Sequence, residues 1–186
     1  MRLDASISLV PVGAPLSVVG GAGVAFQSNV LDLMGVGAGI APPNIFGAGY
    51  PSAVWGTDLG IGSIKALLDV AVGTAFTTSN SSTLNVQFQG APDAGTPTYQ
   101  PGTWQTFVET GPLTAAQLTA GAIIARFDWP PAFPITESGA RPRFVRLNFS
   151  VLAATDFTAG TIAFAVVTMA RDDLANKFQN KNYGVS

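Results

Sequence analysis

A chain of 186 residues has room for one domain with a full core and long surface loops. With 11 % charged against 47 % hydrophobic residues, it has few charges to cover a free surface, so partners are expected to bury much of it. A net charge of −2, nine Lys and Arg against eleven Asp and Glu, argues against holding nucleic acid by neutralising phosphates. Cysteine and histidine are both absent, which removes disulfides, thiolate and imidazole metal ligands, the usual general base and every Cys-His or Ser-His-Asp nucleophile.

At the N-terminus Asp4 stands where an export signal needs apolar residues, and the next apolar stretch, residues 16–26, is broken by Gly20, Gly21 and Gly23. Neither a signal nor a membrane span is expected, and the chain is expected to be made in the cytoplasm of its producing cell. The 21 Gly and 13 Pro punctuate β-branched and aromatic runs without a fixed period, the pattern of many short strands.

Taken in order, strands are expected at residues 16–27, at 30–33 or 52–55, at 63–75, 82–89, 104–110, 122–128, 143–151 and 161–169, about eight in all. The 82–89 run is the cleanest: Leu84, Val86 and Phe88 alternate with Asn85, Gln87 and Gln89, one apolar face and one polar. In the 143–151 run Val145, Leu147 and Phe149 share a face with Arg143, and Phe144 and Arg146 lie on the other, so Arg146 points away from the core. In the 161–169 run Ile162, Phe164 and Val166 oppose Ala163, Ala165 and Val167, which predicts a strand covered on both sides. The short connection between these last two runs predicts a β-hairpin. Only residues 113–120 look helical, one or two turns with Thr114 as N-cap and Gly121 as stop. Residues 35–51, 91–102 and 129–142 read as long loops, the last stiffened by Pro130, Pro131, Pro134 and Pro142.

The fold class that follows is all-β: a two-sheet antiparallel sandwich, jelly roll favoured over an immunoglobulin-like topology. Residues 1–171 form a single domain and 172–186 a polar tail, either a frayed terminus or an arm that orders on a neighbour.

Candidate sites are few. The glycine clusters 35–39 and 60–62 lack the Gly-Lys-Ser/Thr and βαβ context of a phosphate loop and read as turns. Asp172 and Asp173 read as a solvated turn rather than a cation site. Eleven scattered acids give a glycosidase reading no specificity, and Asn80-Ser-Ser82 and Asn148-Phe-Ser150 carry no weight as glycosylation sites without an export signal. No catalytic, cofactor-binding or metal-binding residue is expected, and no enzyme.

Basic charge, by contrast, is segregated. Between Leu3 and Ala125 only Lys65 is basic, whereas Arg126, Arg141, Arg143 and Arg146 crowd together in sequence. Two readings stand: a solvated strand face with ion pairs to Asp128 or Glu137, or a docking patch for an acidic partner. The loop aromatics Phe46, Tyr50, Trp55, Trp129 and Phe133 are either core lids or interface anchors. With the tail's Lys177, Phe178, Lys181 and Tyr183, the interface candidates are Arg126, Arg141, Arg143, Arg146, Trp129, Phe133 and those four.

In order and spacing, Ser28-Asn-Val-Leu-Asp-Leu33, Ser82-Thr-Leu-Asn-Val-Gln-Phe-Gln89, Leu113-Thr-Ala-Ala-Gln-Leu-Thr-Ala-Gly121, Arg143-Phe-Val-Arg-Leu-Asn-Phe-Ser-Val151 and Phe157-Thr-Ala-Gly-Thr-Ile162 resemble the jelly-roll capsid cement (decoration) proteins of short-tailed phages. The resemblance covers most of residues 28–170, and the loops 35–51 and 129–142 and the tail depart from it. It implies a virion protein on the outer surface of an HK97-fold head, bound to the major capsid protein and to itself as a homodimer or homotrimer, without cofactor, nucleic acid or membrane. A competing reading is a phage fibre or lectin-like jelly roll that holds host glycan. A carboxylate-based hydrolase on a β-sandwich is the remaining class.

Overall fold

The computed structural model describes residues 8–20, 23–33, 66–79, 81–94, 100–129, 142–152 and 156–169. In chain order the strands are β1 (Ser8–Val10), β2 (Leu16–Ser17), β3 (Ala25–Gln27), β4 (Leu31–Asp32), β5 (Ala66–Val72), β6 (Thr77–Thr78), β7 (Thr83–Ala91), β8 (Gln105–Thr114), β9 (Ile123–Trp129), β10 (Phe144–Leu152), β11 (Phe157–Ala159) and β12 (Thr161–Met169). They build an antiparallel sandwich. Sheet I has the order β1-β12-β5-β9, with β2 also on β12, and sheet II the order β3-β10-β7-β8, with β4 also on β10. A two-stranded pair, β11 with β6, makes a third sheet.

Alternation places the core. Leu84, Val86 and Phe88 of β7 and Val145, Leu147, Phe149 and Val151 of β10 point inward from sheet II, and Leu68, Val70 and Val72 of β5 and Ala125, Phe127 and Trp129 of β9 meet them from sheet I. Phe88 joins the two sheets: its ring stacks on Phe127 at 6.0 Å and 13°, lies 5.9 Å from Trp129, and meets Phe107 edge-on at 6.4 Å. Gly90 clears the space for Phe107, since a Cβ there would run into that ring. A second aromatic contact, Phe76 against Phe157 at 4.9 Å, closes the region around β6 and β11. Here Gly160, at φ 153°, lies so close to the Phe76 ring that no side chain fits.

Several expected elements are redrawn. The 16–27 run is two short strands, β2 and β3, in different sheets. The expected hairpin of the last two long strands does not form: β10 lies in sheet II between β3 and β7, and β12 lies in sheet I between β1 and β5, with β11 on the way across. Local proximity favours a hairpin, yet each strand has two partners far away in sequence. In β12 a register shift between Ile162 and Phe164 reverses the faces, so that Ile162, Ala165 and Val167 face the core. The opposite side is covered as expected at Val166, which is buried. The expected helix shrinks to one 3-10 turn, Ala115–Gln117; the Thr114 N–H donates to Gln117 Oε1 at 2.9 Å, and Gly121 follows at φ 79°. The 91–102 loop folds back on itself where it is described, with Asp93 bridged to Pro101. The alternative strand at 52–55, the 35–51 loop and the tail lie outside the described residues.

Truncating Phe88 removes the contact shared by both sheets. Phe88→Ala is expected to lower unfolding free energy by about 3–5 kcal/mol in a denaturant titration. Gly160→Ala, which forces a methyl into the Phe76 ring at an unfavourable φ, should cost roughly 2 kcal/mol or more.

Candidate functional site

The three described arginines of the cluster do not form one patch. Arg126 projects from the outer face of sheet I, where its Nε donates to Asp69 Oδ1 at 2.6 Å and its Nη2 to Oδ2 at 3.4 Å. Thr168 Oγ1 donates to the same carboxylate at 2.9 Å, which satisfies a nearly buried Asp69 in mid-sheet. Arg143 is 6 % exposed; its Nη1 pairs with Asp93 Oδ2, and its guanidinium lies 5.2 Å from the Phe144 ring centroid. It ties the 91–102 excursion to the start of β10 and presents little to a partner. Among the described residues the acids that pair with these arginines are Asp69 and Asp93, and not the expected Asp128; Glu137, the other expected partner, lies outside the described residues. Arg146 projects from sheet II, on the opposite face of the sandwich from Arg126.

Trp129 is also placed differently. It is the last residue of β9, 3 % exposed and packed on Phe88, and its Nε1 has no hydrogen-bond partner among the described residues. Of the two readings for this indole, the structure favours the core. Arg141, Phe133, Lys177, Phe178, Lys181 and Tyr183 lie outside the described residues.

The outer face of sheet II holds a more ordered arrangement. Arg146 stacks over Trp104, its Cζ 4.1 Å from the ring centroid, and its Nε donates to Gln89 Oε1 at 3.0 Å. Gln89 Nε2 donates to Gln87 Oε1 at 3.3 Å and to Thr106 Oγ1 at 3.2 Å. Gln87 Nε2 donates to Glu109 Oε2 at 3.0 Å, and Asn85 Nδ2 reaches the same oxygen at 2.8 Å. Asn148 Nδ2 joins from β10, donating to Gln87 Oε1 at 2.8 Å.

The chain of bonds has one direction, set by its ends. A guanidinium can only donate and a carboxylate can only accept, so Gln89 turns its oxygen to Arg146 and both glutamines point their NH2 groups toward Glu109. A relay polarised between a cation and an anion strengthens each link. The electrostatics agree: hydrogen bonds from Asn85 first, then Gln87, hold the Glu109 carboxyl below its usual 4.5, while partial burial lowers the Arg146 guanidinium below its ordinary value without removing its charge.

β-Alternation builds this face. With Leu84, Val86 and Phe88 inward, Asn85, Gln87 and Gln89 must be outward; the pairs Arg146 with Gln89 and Asn148 with Gln87 then follow from the β10–β7 register. Sequence reasoning saw the polar stripe and missed its partners. Trp104 and Glu109 carry no motif, and the β8 register shifts that bring Thr106 and Glu109 opposite Gln89 and Gln87 leave no mark in the residue pattern. Among the described residues no three metal-ligating side chains gather, and no helix is long and apolar enough to cross a membrane. Asn85, Gln89 and Asn148 are buried within this network, so what the face presents to a partner is the part-exposed Gln87, Arg146 and Trp104 with the exposed Thr106 and Glu109.

Compared with known proteins, the chain matches no family model and no curated protein.

The relay makes stability depend on acid. A carboxyl whose pKa is depressed on folding contributes stability that is complete above its unfolded value and is lost as pH falls through the folded one. Glu109→Gln should therefore flatten part of the decline in stability below about pH 4.5 seen in denaturant titrations at stepped pH. NMR titration of the wild-type carboxyl should place its midpoint below that of an unstructured glutamate.

Proposed function

We propose that this protein is a non-enzymatic jelly-roll clamp, a capsid cement or decoration protein that sits on the outer surface of an HK97-fold phage head and stabilises contacts between capsomers. The observation that carries the reading is the outer face of sheet II: broad, polar and already hydrogen-bonded to itself. A prewired sheet face fits another protein's surface better than it fits a small substrate, because its side chains have little left to order on contact. Strand order also supports the jelly roll. With β1/β2 and β3/β4 each taken as one interrupted strand, the eight-strand order is 1-8-3-6 over 2-7-4-5, the order of such a fold.

Size argues for several contacts per particle. Three strands of nine or ten residues give a face on the order of 500 Å². That falls short of the roughly 800 Å² per partner of a stable pairwise interface. A homo-oligomer engaging two or three capsid subunits would gain on the order of 100-fold through effective concentration. The partners in this reading are the major capsid protein and further copies of the chain, with no cofactor, nucleic acid or membrane.

One observation favours glycan binding as the second reading: the same face lines up amide groups beside a half-buried Trp104, chemistry that also suits sugar hydroxyls. Reproducible glycan-array hits lost on Trp104→Ala would support it and count against the clamp. Trp129, in the core, is the wrong residue to test.

For the clamp, purified protein added to expanded heads that lack it should bind saturably and symmetrically in cryo-EM maps and raise their resistance to heat. Arg146→Glu should weaken that binding about tenfold or more, by removing one central charged contact, while Lys65→Glu leaves it within twofold. Heads equally stable without the protein and unable to bind it would end the proposal.

A further inference from the structure

The four outer edges of the two main sheets differ. In sheet I the β1/β2 edge is broken into pieces of three and two residues, and in sheet II the β3/β4 edge is broken in the same way. The β8 edge of sheet II carries two register shifts, Gly111 at φ 73° and Pro112. Each of these features blunts an edge against further pairing. The edge at β9 is different: seven residues, Ile-Ile-Ala-Arg-Phe-Asp-Trp, with no glycine or proline and a single register shift near its start. Among the described residues no strand pairs with its outer side. Ile123 is exposed, and with Ile124, Ala125 and Arg126 it lines an open surface depression.

The direction of the β9 backbone follows from β5. Val72 exchanges hydrogen bonds with Gly121 and Ala122 on the β9 side, and Gly73 donates to Thr161 on the β12 side. Even-numbered β5 residues therefore bond toward β9. Ala66, Leu68 and Val70 are paired with Trp129, Phe127 and Ala125, so Arg126 and Asp128 direct their backbone N–H and C=O groups away from β5, toward the open edge.

We propose that a second copy of this chain docks here, β9 against β9, antiparallel about a two-fold axis at Phe127. In that register Arg126 of each copy faces Asp128 of the other, and each of these two pairs exchanges both backbone hydrogen bonds. Both side chains are exposed on the outer face of sheet I, so two opposite-charge pairs sit directly across the junction. Neighbouring registers are penalised. An axis at Arg126 or at Asp128 would set like charges face to face, and pairing beyond Trp129 meets Pro130 and Pro131, which have no N–H to give. Arg126 keeps its bonds to Asp69, which hold it on that face with its side chain 58 % exposed. The surface is self-complementary, as a two-fold contact requires. It goes beyond the clamp reading and does not depend on it, because it concerns the purified protein without heads.

Sedimentation velocity over a concentration series tests the interface. The wild type is expected to pass from monomer to dimer, and the amides of Arg126 and Asp128 to gain protection from hydrogen exchange as the dimer forms. Asp128→Arg, which turns both charge pairs repulsive, should weaken the dimer roughly tenfold or more. Asp128→Pro, which removes an edge-facing N–H and no bond to β5, should do the same. Both variants should melt as the wild type does at dilutions where it is monomeric. A wild type that stays monomeric throughout, or a dimer that tolerates both substitutions, overturns the proposal; a wild type that dimerises yet does not bind heads would count against the clamp alone.

Discussion

The contact of Phe88 with Phe127 and Trp129 is the constraint on which the geometry of the molecule depends. It holds the two sheets together on the side where β8 and β9 run, and with Phe107 it brings four aromatic side chains from three strands into one cluster. Its effect reaches the surface through the pleat: a strand that commits Phe88 to the interior has no choice but to send Gln87 and Gln89 outward. In β9 the commitment of Phe127 and Trp129 likewise turns Arg126 and Asp128 to solvent. The faces offered to partners are thus by-products of the core.

What the residue pattern reveals is the face of each strand, and there it reads well. The alternations of β7 and β10 correctly separate core from surface, and the boundaries of β12 coincide with the 161–169 run. What it does not reveal is sheet membership. Arg126 and Arg146 are close in sequence, yet β9 and β10 belong to opposite sheets, so their charges diverge. The β10–β12 connection misleads for the same reason: it is short enough for a turn and is used as a crossing. Trp129 was ambiguous because the prolines after it look like a loop that already includes it, whereas β9 carries it one residue deeper into the core.

The amide relay also changes the meaning of the low charge content. Few charges in a chain this size imply either a largely covered surface or one wetted by neutral polar groups. On sheet II both apply: Asn85, Gln89 and Asn148 are covered, and with the part-exposed Gln87 they form a neutral hydrogen-bonded network between one cation and one anion. Such a face stays polar with little net field. It discriminates between partners by the positions of its donors and acceptors more than by long-range attraction.

β12 is a central strand of sheet I and yet the last one in the described chain. It pairs with β1 and β2 from the beginning of the sequence and with β5 from the middle. Until residues 161–169 have left the ribosome, β1 and β2 have no strand to join and β5 has only β9. Sheet I can therefore be completed only once residues 161–169 are free to pair, by closing nearly the whole span from β1 to β12 at once, a slow step for any fold made of distant pairings. Nascent copies would spend that interval with apolar strands uncovered, so the rate at which the protein accumulates in a cell is bounded by how long this final closure takes.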